Sequence, residues 1–248
     1  MNVTPVKTHK ITIKDKDILE VLDKYLPALA ENTVIAVASK IIAICEGRIA
    51  KMGEVEKDTL IEKEADFFLP RSGNKYGVAL TITQNHLVAT AGIDESNGDG
   101  YYILWPKDLQ KSANTIREHL KKKHTVKNIG VIITDSRTTP LRWGVTGLAI
   151  AYSGINPLHS YVGQGDIFGR TMEFTQESIV DGLASAATVT MGEGAEQTPL
   201  AIITGIPFVE FQDRNPTQEE LDRLKIEPSN DLYAPLLTNV PWEKGKKG

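Results

Sequence analysis

Carboxylate side chains on three turn-rich segments are the residues of this sequence whose types and spacing could do chemistry. Asp94, Asp135 and Glu193 each follow an apolar segment and lie in or beside sequence rich in turn-forming residues. Oxygen ligands in such positions are typical of sites that bind a hard cation such as Mg²⁺ or Mn²⁺. Taken singly, each acid is more often a turn former or a helix cap, so one acid alone is weak evidence for a metal site.

Positively charged side chains provide the counterpart for anionic substrates. Arg137, Arg142 and Arg170 lie in segments without helical periodicity, where a planar guanidinium could bind phosphate or carboxylate in bidentate fashion. Lys40 follows a predicted buried strand and would act as a point charge. Surface ion pairing is the alternative for these groups, and it is more reasonable for Arg170 than for Arg142, which lies in a turn between a proline and a glycine. We therefore treat Arg142 and Arg170 as candidate catalytic residues that neutralise charge on an acceptor carboxylate or phosphate.

The common nucleotide-binding and zinc-binding motifs are absent from the sequence. No Gly-x-x-x-x-Gly-Lys-Ser/Thr run occurs, which excludes a P-loop. The segment Gly163–Gly169 superficially resembles a dinucleotide-binding loop, but its last glycine comes one residue late and no convincing strand precedes it. A Rossmann site is therefore not expected. The five histidines form no His-x-x-x-His pair that would indicate a zinc site.

Buried strands and amphipathic helices must position the candidate groups. Continuous apolar runs predict buried strands over Val34–Ala38 and Gly130–Thr134, the second of which stops at Asp135. Helical spacing of apolar residues predicts helices over Lys107–Lys123 and Ser178–Met191. Polar groups at the end of a buried strand are where α/β proteins commonly carry their chemistry.

Weaker patterns predict the remaining elements and the domain organisation. No internal repeat or low-complexity linker divides the chain, so residues 1–241 are predicted to form one domain, or two interlocked subdomains, followed by a flexible tail over residues 242–248. The further predicted strands are Val3–Ile13, Val78–Ile82, Leu87–Ala91, Tyr101–Trp105 and Ala201–Ile203, and the further predicted helices are Asp17–Leu29, Leu60–Phe68 and Thr217–Leu224.

Composition limits the class of protein. The 248 residues include 28 Lys and Arg against 32 Asp and Glu, a formal net charge of −4, which excludes a basic nucleic-acid binder of the usual kind. Cys45 is the only cysteine and is interpreted as a packed core residue. The most apolar stretch, Val34–Cys45, is interrupted by Ser39 and Lys40 and is far shorter than the roughly 20 residues of a membrane span. We expect a soluble, cytoplasmic protein with no nucleic-acid and no membrane partner.

Five short segments, taken in order, resemble the coenzyme F420-0:L-glutamate ligase (F420-0:gamma-glutamyl ligase) family. The resemblance spans roughly residues 33–200, and the ordered set is far more specific than any one of its segments. The segments are Ser39-Lys40 with Glu46-Gly47-Arg48, Ala91–Asn97, Ile133–Ser136 with Pro140–Gly144, Gly165–Arg170, and Met191–Glu193.

The resemblance implies both an architecture and an activity. The fold would be α+β with mixed sheets, unlike Rossmann and P-loop folds, and assembled as an intertwined homodimer. The activity would be that of a GTP-dependent gamma-glutamyl ligase, which forms an amide between L-glutamate and an acceptor carboxylate through an acyl phosphate, with F420-0 as the default acceptor. Two divalent cations, Mg²⁺ or Mn²⁺, would be the cofactors, and K⁺ is an additional candidate ion.

The resemblance also implies roles for individual residues. By matching motif, Asp94 and Asp135 would hold the first metal ion, with Ser136 and Glu193 at the second. The positions implied for the nucleotide site are Ser39, Lys40, Asn97, Met191, Gly192, Gly194, Ala195 and Glu196.

Departures from the family pattern leave alternatives open for the nucleotide and the acceptor. Family members typically carry a second lysine four residues after Lys40, where this chain has Ile44, so GTP and ATP are both candidates. The segment Asp135–Arg142 keeps the family's acid and last arginine but changes the residues between them, so a folate-like acceptor is the alternative within the enzyme class. A non-catalytic nucleotide-binding homologue is the alternative from another class. Retention of all three acids argues against it, because clustered carboxylates repel one another without a cation.

Overall fold

The computed structural model describes residues 1–246 and contains, within them, thirteen strands and seven α-helices. The strands are β1 (Asn2–Val6), β2 (Thr33–Ala38), β3 (Ile49–Lys51), β4 (Phe67–Leu69), β5 (Leu80–Thr83), β6 (His86–Ala89), β7 (Tyr101–Ile103), β8 (Ile129–Thr138), β9 (Val145–Ser153), β10 (Leu158–Ser160), β11 (Gln176–Ser178), β12 (Leu200–Thr204) and β13 (Glu243–Lys244). The helices are α1 (Ile18–Tyr25), α2 (Ser39–Cys45), α3 (Lys57–Glu64), α4 (Leu109–His124), α5 (Ile179–Met191), α6 (Gln218–Asp222) and α7 (Ala234–Leu237).

A five-stranded sheet in the order β1-β12-β2-β8-β9 forms the centre of the fold. Its only parallel pair is β2 with β8, in which Thr33 lies opposite Ile129 and Ala38 opposite Thr134. The residues that follow these partners, Ser39 and Asp135, therefore leave the core at the same edge of the sheet. This arrangement follows the expected placement of chemistry at the carboxyl ends of parallel strands.

Helices cover both faces of the central sheet. Helices α1 and α4 pack on one face, where Leu22, Ile116 and Leu120 meet apolar side chains of β2 and β8. Helix α5 packs on the other face, with Leu183 and Ala187 against alternate residues of the same strands. Strand β2 is thus buried on both sides, which explains why its sequence is a continuous apolar run rather than an alternating one. The mixed sheet and its helices make the fold α+β, as predicted.

A second, four-stranded antiparallel sheet in the order β13-β4-β5-β6 lies beside the short β3-β7 pair. Strands β5 and β6 are joined by a two-residue turn in which Gln84 and Asn85 have φ of 48° and 64°. Left-handed conformation at both positions is the geometry that matches the twist of a tight hairpin. Strand β13 pairs with β4 through Glu243 and Lys244, where the sequence predicted a flexible tail. Residues 247–248 of that predicted tail lie outside the described residues.

Two arms connect paired strands, one in the central sheet and one in the separate two-stranded sheet β10-β11. The hairpin arm, residues 138–145, is the tip that joins β8 to β9, and the loop arm, residues 161–175, joins β10 to β11. The side chains of Leu141 and Trp143 on the hairpin arm are 103% and 92% exposed, and those of Ile167 and Phe168 on the loop arm are 92% and 89% exposed. Large apolar side chains are thus concentrated on segments outside the core.

Helix α2 was not predicted, and Lys40 was wrongly placed at the end of a strand. The apolar run Val34–Cys45 divides at Ser39, where strand β2 gives way to helix α2. Ile41, Ile42 and Cys45 are all buried, so the helix presents no polar face. A short helix buried all round has no amphipathic periodicity and cannot be distinguished from a strand by pattern. The interpretation of Cys45 as a core residue is confirmed.

Several predicted elements have different limits in the structure. The helix predicted over Leu60–Phe68 ends at Glu64, and Phe67 and Phe68 belong instead to strand β4, which pairs with β5. The strand predicted over Val3–Ile13 ends at Val6, which pairs with Leu200 at the start of β12, and beyond this pair the Thr8 N–H donates to the Gln197 carbonyl at 2.9 Å. Strand β8 was predicted to stop at Asp135 but continues to Thr138, because β9 continues to pair with it along the hairpin. Residues 1–246 include no helix whose length and hydrophobicity would let it cross a lipid bilayer.

Candidate active site

The edge where β2 and β8 leave the core brings together most of the residues that the sequence singled out. Ser39 and Lys40 begin helix α2, and Asp135 and Ser136 lie in β8 immediately beyond the buried part of the strand. Asp94 reaches the same edge from a separate segment. Its backbone N–H donates to the carbonyl of Ile103 at 2.9 Å, and its carbonyl accepts from the Ile103 N–H at 2.8 Å.

A left-handed turn sets the direction of the chain just before Asp94. Thr90, Ala91 and Gly92 have φ of 52°, 54° and 74°. The side chain of Thr81 accepts a hydrogen bond from the Ala91 N–H at 3.0 Å, which holds the turn to strand β5. Left-handed backbone at a β-branched residue costs energy and persists where the surroundings enforce it, often at functional sites.

Lys40 and Asp94 form the first contact of the site. The Lys40 Nζ lies 2.7 Å from the Asp94 Oδ2 and donates to both the carbonyl and the Oγ of Ser96 at 2.9 Å. The Ser96 N–H donates to the Asp94 Oδ1 at 2.7 Å. Burial alone would raise the pKa of Asp94, but the Lys40 ammonium and the donors of Ser96 outweigh it, so this pKa lies below its ordinary value. Asp94 is therefore a carboxylate at neutral pH.

Asp135 is held by N–H donors on both of its oxygens. The indole Nε1 of Trp105 donates to its Oδ2, and the Ser136 N–H donates to its Oδ1 at 2.8 Å. Burial nevertheless raises the pKa of Asp135 to about 6, and the negative charge of Asp94 acts in the same direction.

The loop after helix α5 closes the other side of the site. Ser136 Oγ donates to the Glu193 Oε1 at 2.6 Å, and Asn97 Nδ2 donates to the carbonyl of Gly194 at 2.9 Å. The Gly194 N–H in turn donates to the Glu196 Oε2 at 2.8 Å. These contacts connect β8, the Asp94 segment and the loop from Gly192 to Pro199, which lie far apart in sequence.

Of the four predicted metal ligands, Ser136 contacts Glu193 directly and follows Asp135 in β8, whereas Asp94 is paired with Lys40. Their carboxylate and hydroxyl oxygens are the donor types that hard divalent cations prefer, so the residues fit the implied metal. Among residues 1–246, no three His, Cys, Asp or Glu side chains are gathered tightly enough to form a metal site by themselves.

The predicted nucleotide residues also lie at this edge, but their side chains differ in exposure. Ser39 is buried at the start of α2, whereas Asn97 and Ala195 are exposed. Met191 ends helix α5, and Gly192 follows it with φ of 79°, a left-handed conformation that turns the chain into the loop. Thr198 donates its hydroxyl to the Met191 carbonyl and thereby closes the loop on itself.

The two candidate catalytic arginines lie on the arms, away from this cluster. The Arg142 N–H donates to the Thr139 carbonyl at 3.2 Å within the hairpin arm. The Arg170 N–H donates to the Asp166 Oδ1 at 2.9 Å within the loop arm. Neither guanidinium forms a hydrogen bond or ion pair with another residue of the 1–246 range. A catalytic role for them stays a prediction.

Two contributors to the site were not found from the sequence. Ser96 holds both Asp94 and Lys40, but within the segment Ala91–Asn97 no role was predicted for it. Trp105 contacts Asp135 across thirty positions of sequence and was treated only as the end of an apolar strand. The proline that follows Trp105 predicts the end of the strand, but nothing in the local sequence indicates the contact with Asp135.

Comparison with known proteins gives consistent matches over most of the chain. Residues 3–205 match the model of the F420-0:Gamma-glutamyl ligase family. A protein of Methanococcus maripaludis named coenzyme F420:L-glutamate ligase is 36% identical over 222 residues, covering 88% of this chain and 86% of that protein. A protein of the same name from Methanocaldococcus jannaschii is 34% identical over 248 residues, covering 85% and 99%. One from Methanopyrus kandleri is 32% identical over 222 residues, covering 83% and 87%.

Proposed function

This chain belongs to the F420-0:gamma-glutamyl ligase family, and we propose that it joins the amine of L-glutamate to the carboxylate of F420-0 in a nucleotide-dependent reaction. The observation that carries the proposal is the convergence of Asp94, Asp135 and Glu193 at one sheet edge. Three separate segments deliver these acids, and each acid is held there by specific hydrogen bonds or ion pairs. Asp94 has the Lys40 ammonium as a positive partner, whereas Asp135 and Glu193 accept hydrogen bonds from neutral donors, which leaves their negative charge for a cation.

The reaction needs activation because a carboxylate does not react with an amine. An oxygen of the acceptor carboxylate attacks the γ-phosphorus of the nucleotide, and the nucleoside diphosphate leaves, which gives an acyl phosphate. The glutamate nitrogen then attacks the acyl carbon, the bond from that carbon to the phosphate oxygen breaks, and phosphate leaves while the amine loses a proton. No side chain of the protein needs to become covalently attached.

The acids would hold two divalent cations, Mg²⁺ or Mn²⁺. Asp94 and Asp135 are the proposed ligands of one, and Ser136 and Glu193 contribute to the other, with K⁺ an additional candidate ion. When bound, such cations neutralise charge on the phosphate oxygens during phosphoryl transfer. The donors on Asp135 support this role because they fix the carboxylate in one orientation before any ligand arrives.

The proposed nucleotide site lies between helix α2 and the loop that follows helix α5. Lys40 provides the positive charge, and its ammonium already lies beside Asp94 at 2.7 Å. Asn97 contacts the loop side of this site through the Gly194 carbonyl at 2.9 Å. The other proposed nucleotide-binding residues are Ser39, Met191, Gly192, Gly194, Ala195 and Glu196. GTP is the proposed co-substrate and ATP the alternative, since Ile44 occupies the position of the family's second lysine.

We also propose that the protein works as a homodimer through its arms. The exposed apolar side chains of the hairpin arm and the loop arm include Leu141, Trp143 and Phe168, and contiguous exposed apolar surface is typical of an interface. Arg142 and Arg170 lie on these arms. The position of the second copy would therefore determine whether they approach the active site of their own chain or that of the partner chain. In that arrangement they supply charge to the acceptor carboxylate or phosphate.

The experiment that tests the function is mass spectrometry of the product. Purified protein is incubated with L-glutamate, Mn²⁺ or Mg²⁺, and GTP or ATP, with F420-0 and a reduced folate offered in separate reactions. We expect F420-0 to gain a glutamyl residue only when nucleotide and metal are both present. Product with the folate alone would mean that the changed hairpin arm selects a different acceptor. Absence of product with either acceptor would contradict the ligase proposal and favour a non-catalytic nucleotide-binding homologue.

A further inference from the structure

Trp105 lies directly against the carboxylate of Asp135 and occupies one of its two oxygens. The indole Nε1 donates to Oδ2, while the Ser136 N–H donates to Oδ1 at 2.8 Å. An indole N–H can donate but cannot accept, so the group that faces it must offer an acceptor, as a carboxylate oxygen does. Each oxygen keeps a further lone pair for another partner.

The position of Trp105 is itself tightly determined. Its side chain is only 3% exposed. The Arg48 Nε donates to the Trp105 carbonyl at 3.0 Å, and the same guanidinium pairs with Glu64 at 2.6 Å. The ring of His86 meets the indole edge-on, with centroids 5.8 Å apart and an interplanar angle of 89°. Contacts to its backbone carbonyl and to its ring therefore fix the position of Trp105, and a fixed indole can fix the orientation of the Asp135 carboxylate.

Gly92 provides the space that the indole needs. A Cβ at this position would lie 2.2 Å from the Trp105 Nε1 and 2.3 Å from its Cε2, and the backbone there has φ of +74°. Only glycine combines that conformation with that approach. Because Gly92 is two residues before Asp94, the indole packs between the backbone that presents Asp94 and the carboxylate of Asp135. One ring thus touches both sides of the candidate metal site.

From this geometry we infer that Trp105 is a positioning residue of the metal site, which fixes the orientation of the Asp135 carboxylate and its separation from Asp94. The inference rests on the metal-dependent function proposed above. Outer hydrogen-bond partners of metal-binding side chains typically contribute a factor of about 10–100 in metal affinity or activity. Trp105 matches that description because its N–H donates to the proposed metal ligand Asp135.

The test compares Mn²⁺ binding by the full-length protein and by two matched variants. Trp105→Phe keeps an aromatic ring but removes the N–H donor. Trp242→Phe is the control, because the Trp242 Nε1 donates to the Leu237 carbonyl at 2.6 Å and removing it deletes an equivalent hydrogen bond elsewhere. We expect Mn²⁺ affinity, measured by electron paramagnetic resonance of free Mn²⁺, to fall about 10–100-fold in Trp105→Phe and to stay unchanged in Trp242→Phe.

Kinetics separate positioning from a merely structural role. In Trp105→Phe we expect the Mn²⁺ concentration for half-maximal rate to rise, with kcat at saturating Mn²⁺ close to the wild-type value. Wild-type Mn²⁺ affinity in this variant would overturn the inference and leave the proposed function standing. Absence of Mn²⁺ binding by the wild-type protein would instead overturn both.

A second measurement does not depend on the Phe variant folding. The chain has three tryptophans, so the double variant Trp143→Phe/Trp242→Phe leaves Trp105 as the only indole fluorophore. Mn²⁺ bound at Asp135 would lie close to this ring and quench its emission. We expect quenching that saturates with the same Mn²⁺ affinity as direct binding. Emission unaffected by saturating Mn²⁺ would place the metal away from Trp105 and overturn the inference.

Discussion

The Lys40 Nζ lies 2.7 Å from the Oδ2 of Asp94, and the same ammonium donates to two oxygens of Ser96 at 2.9 Å. A cation of the protein therefore already occupies one side of a proposed metal ligand. Lys40 is also a proposed nucleotide residue, so its ammonium faces two competing partners, the Asp94 carboxylate and the phosphates of the nucleotide.

Replacing Lys40 with Met should affect the metal and the nucleotide in opposite directions. Without nucleotide, Mn²⁺ should bind more tightly, because a competing positive charge next to Asp94 is lost. The KM for the nucleotide should rise roughly tenfold, since a charge-assisted contact to phosphate is removed. Mn²⁺ titration and initial rates measure the two effects. Lys57→Met is the matched control, because Lys57 pairs with the neighbouring Glu95 at 2.6 Å, and its loss should leave both quantities unchanged.

Replacing Asp135 with Asn should abolish turnover and leave the fold intact. Asn has nearly the same shape and still offers an oxygen to the Trp105 N–H, but it removes the charge that a divalent cation needs. Product formation by mass spectrometry and the melting temperature of the metal-free protein measure the two effects. Without metal the melting temperature of the variant should stay close to that of the wild type, because removal of a buried charge offsets the loss of the hydrogen bond from the Ser136 N–H, which would face the amide nitrogen. Retained activity with bound metal would contradict the ligand assignment.

Replacing Trp143 with Ser should weaken the proposed dimer. Trp143 is 92% exposed on the hairpin arm, so its loss leaves the single chain's core untouched. Light scattering after size exclusion should show about twice the 27.2 kDa chain mass for the wild type and a shift toward one chain mass for the variant. Leu232→Ser serves as the control because Leu232 is 88% exposed but lies outside both arms. A wild type that is monomeric at all concentrations would contradict the dimer proposal.

Replacing Glu220 with Gln should reduce stability in a way that depends on pH. Glu220 accepts two hydrogen bonds of 2.7 Å from Arg214 and closes a capping box with Thr217, and these contacts hold the pKa of its carboxyl well below the ordinary value of 4.5. The native state therefore favours the charged form, and the resulting stabilisation is present above pH 4.5 and is lost as the pH falls below it.

The free energy of unfolding of the wild type should accordingly exceed that of Glu220→Gln by about 1–2 kcal/mol at pH 7, and the difference should shrink below pH 4.5. Urea denaturation at several pH values measures this difference. Glu219→Gln is the control, because its pair with Arg223 is exposed and should contribute almost nothing at any pH. A difference that is constant from pH 7 to pH 3 would contradict the assignment to this carboxyl.

The sequence predicts those parts of the site that depend on the local order of apolar and polar residues. The buried strands that end near Ser39 and Asp135 are visible as apolar runs, and their parallel pairing then brings the two residues to one edge. The acids were found for the same reason, because each lies where an apolar segment ends. Helix α2 was missed because burial on all sides removes the polar face that gives a helix its period.

Contacts between distant segments could not be predicted from pattern. The hydrogen bonds of Ser136 with Glu193 and of Asn97 with Gly194 join residues 57 and 97 positions apart. Nothing in the composition of either partner specifies the other. Trp105 is similar, since its indole resembles an ordinary core residue until the segment that follows β7 is placed beside Asp135. Side-chain partners across a fold depend on the complete packing, which local periodicity does not encode.

The place of β12 in the central sheet has a consequence for synthesis of the chain. Because β12 lies between β1 and β2, the amino-terminal strands stay apart until residues 200–204 have left the ribosome. Until then, the apolar strand β2 has one edge without a hydrogen-bonding partner, and such edges invite pairing with other chains. We therefore expect nascent chains stalled before Leu200 to aggregate, and the sheet to close only late in translation.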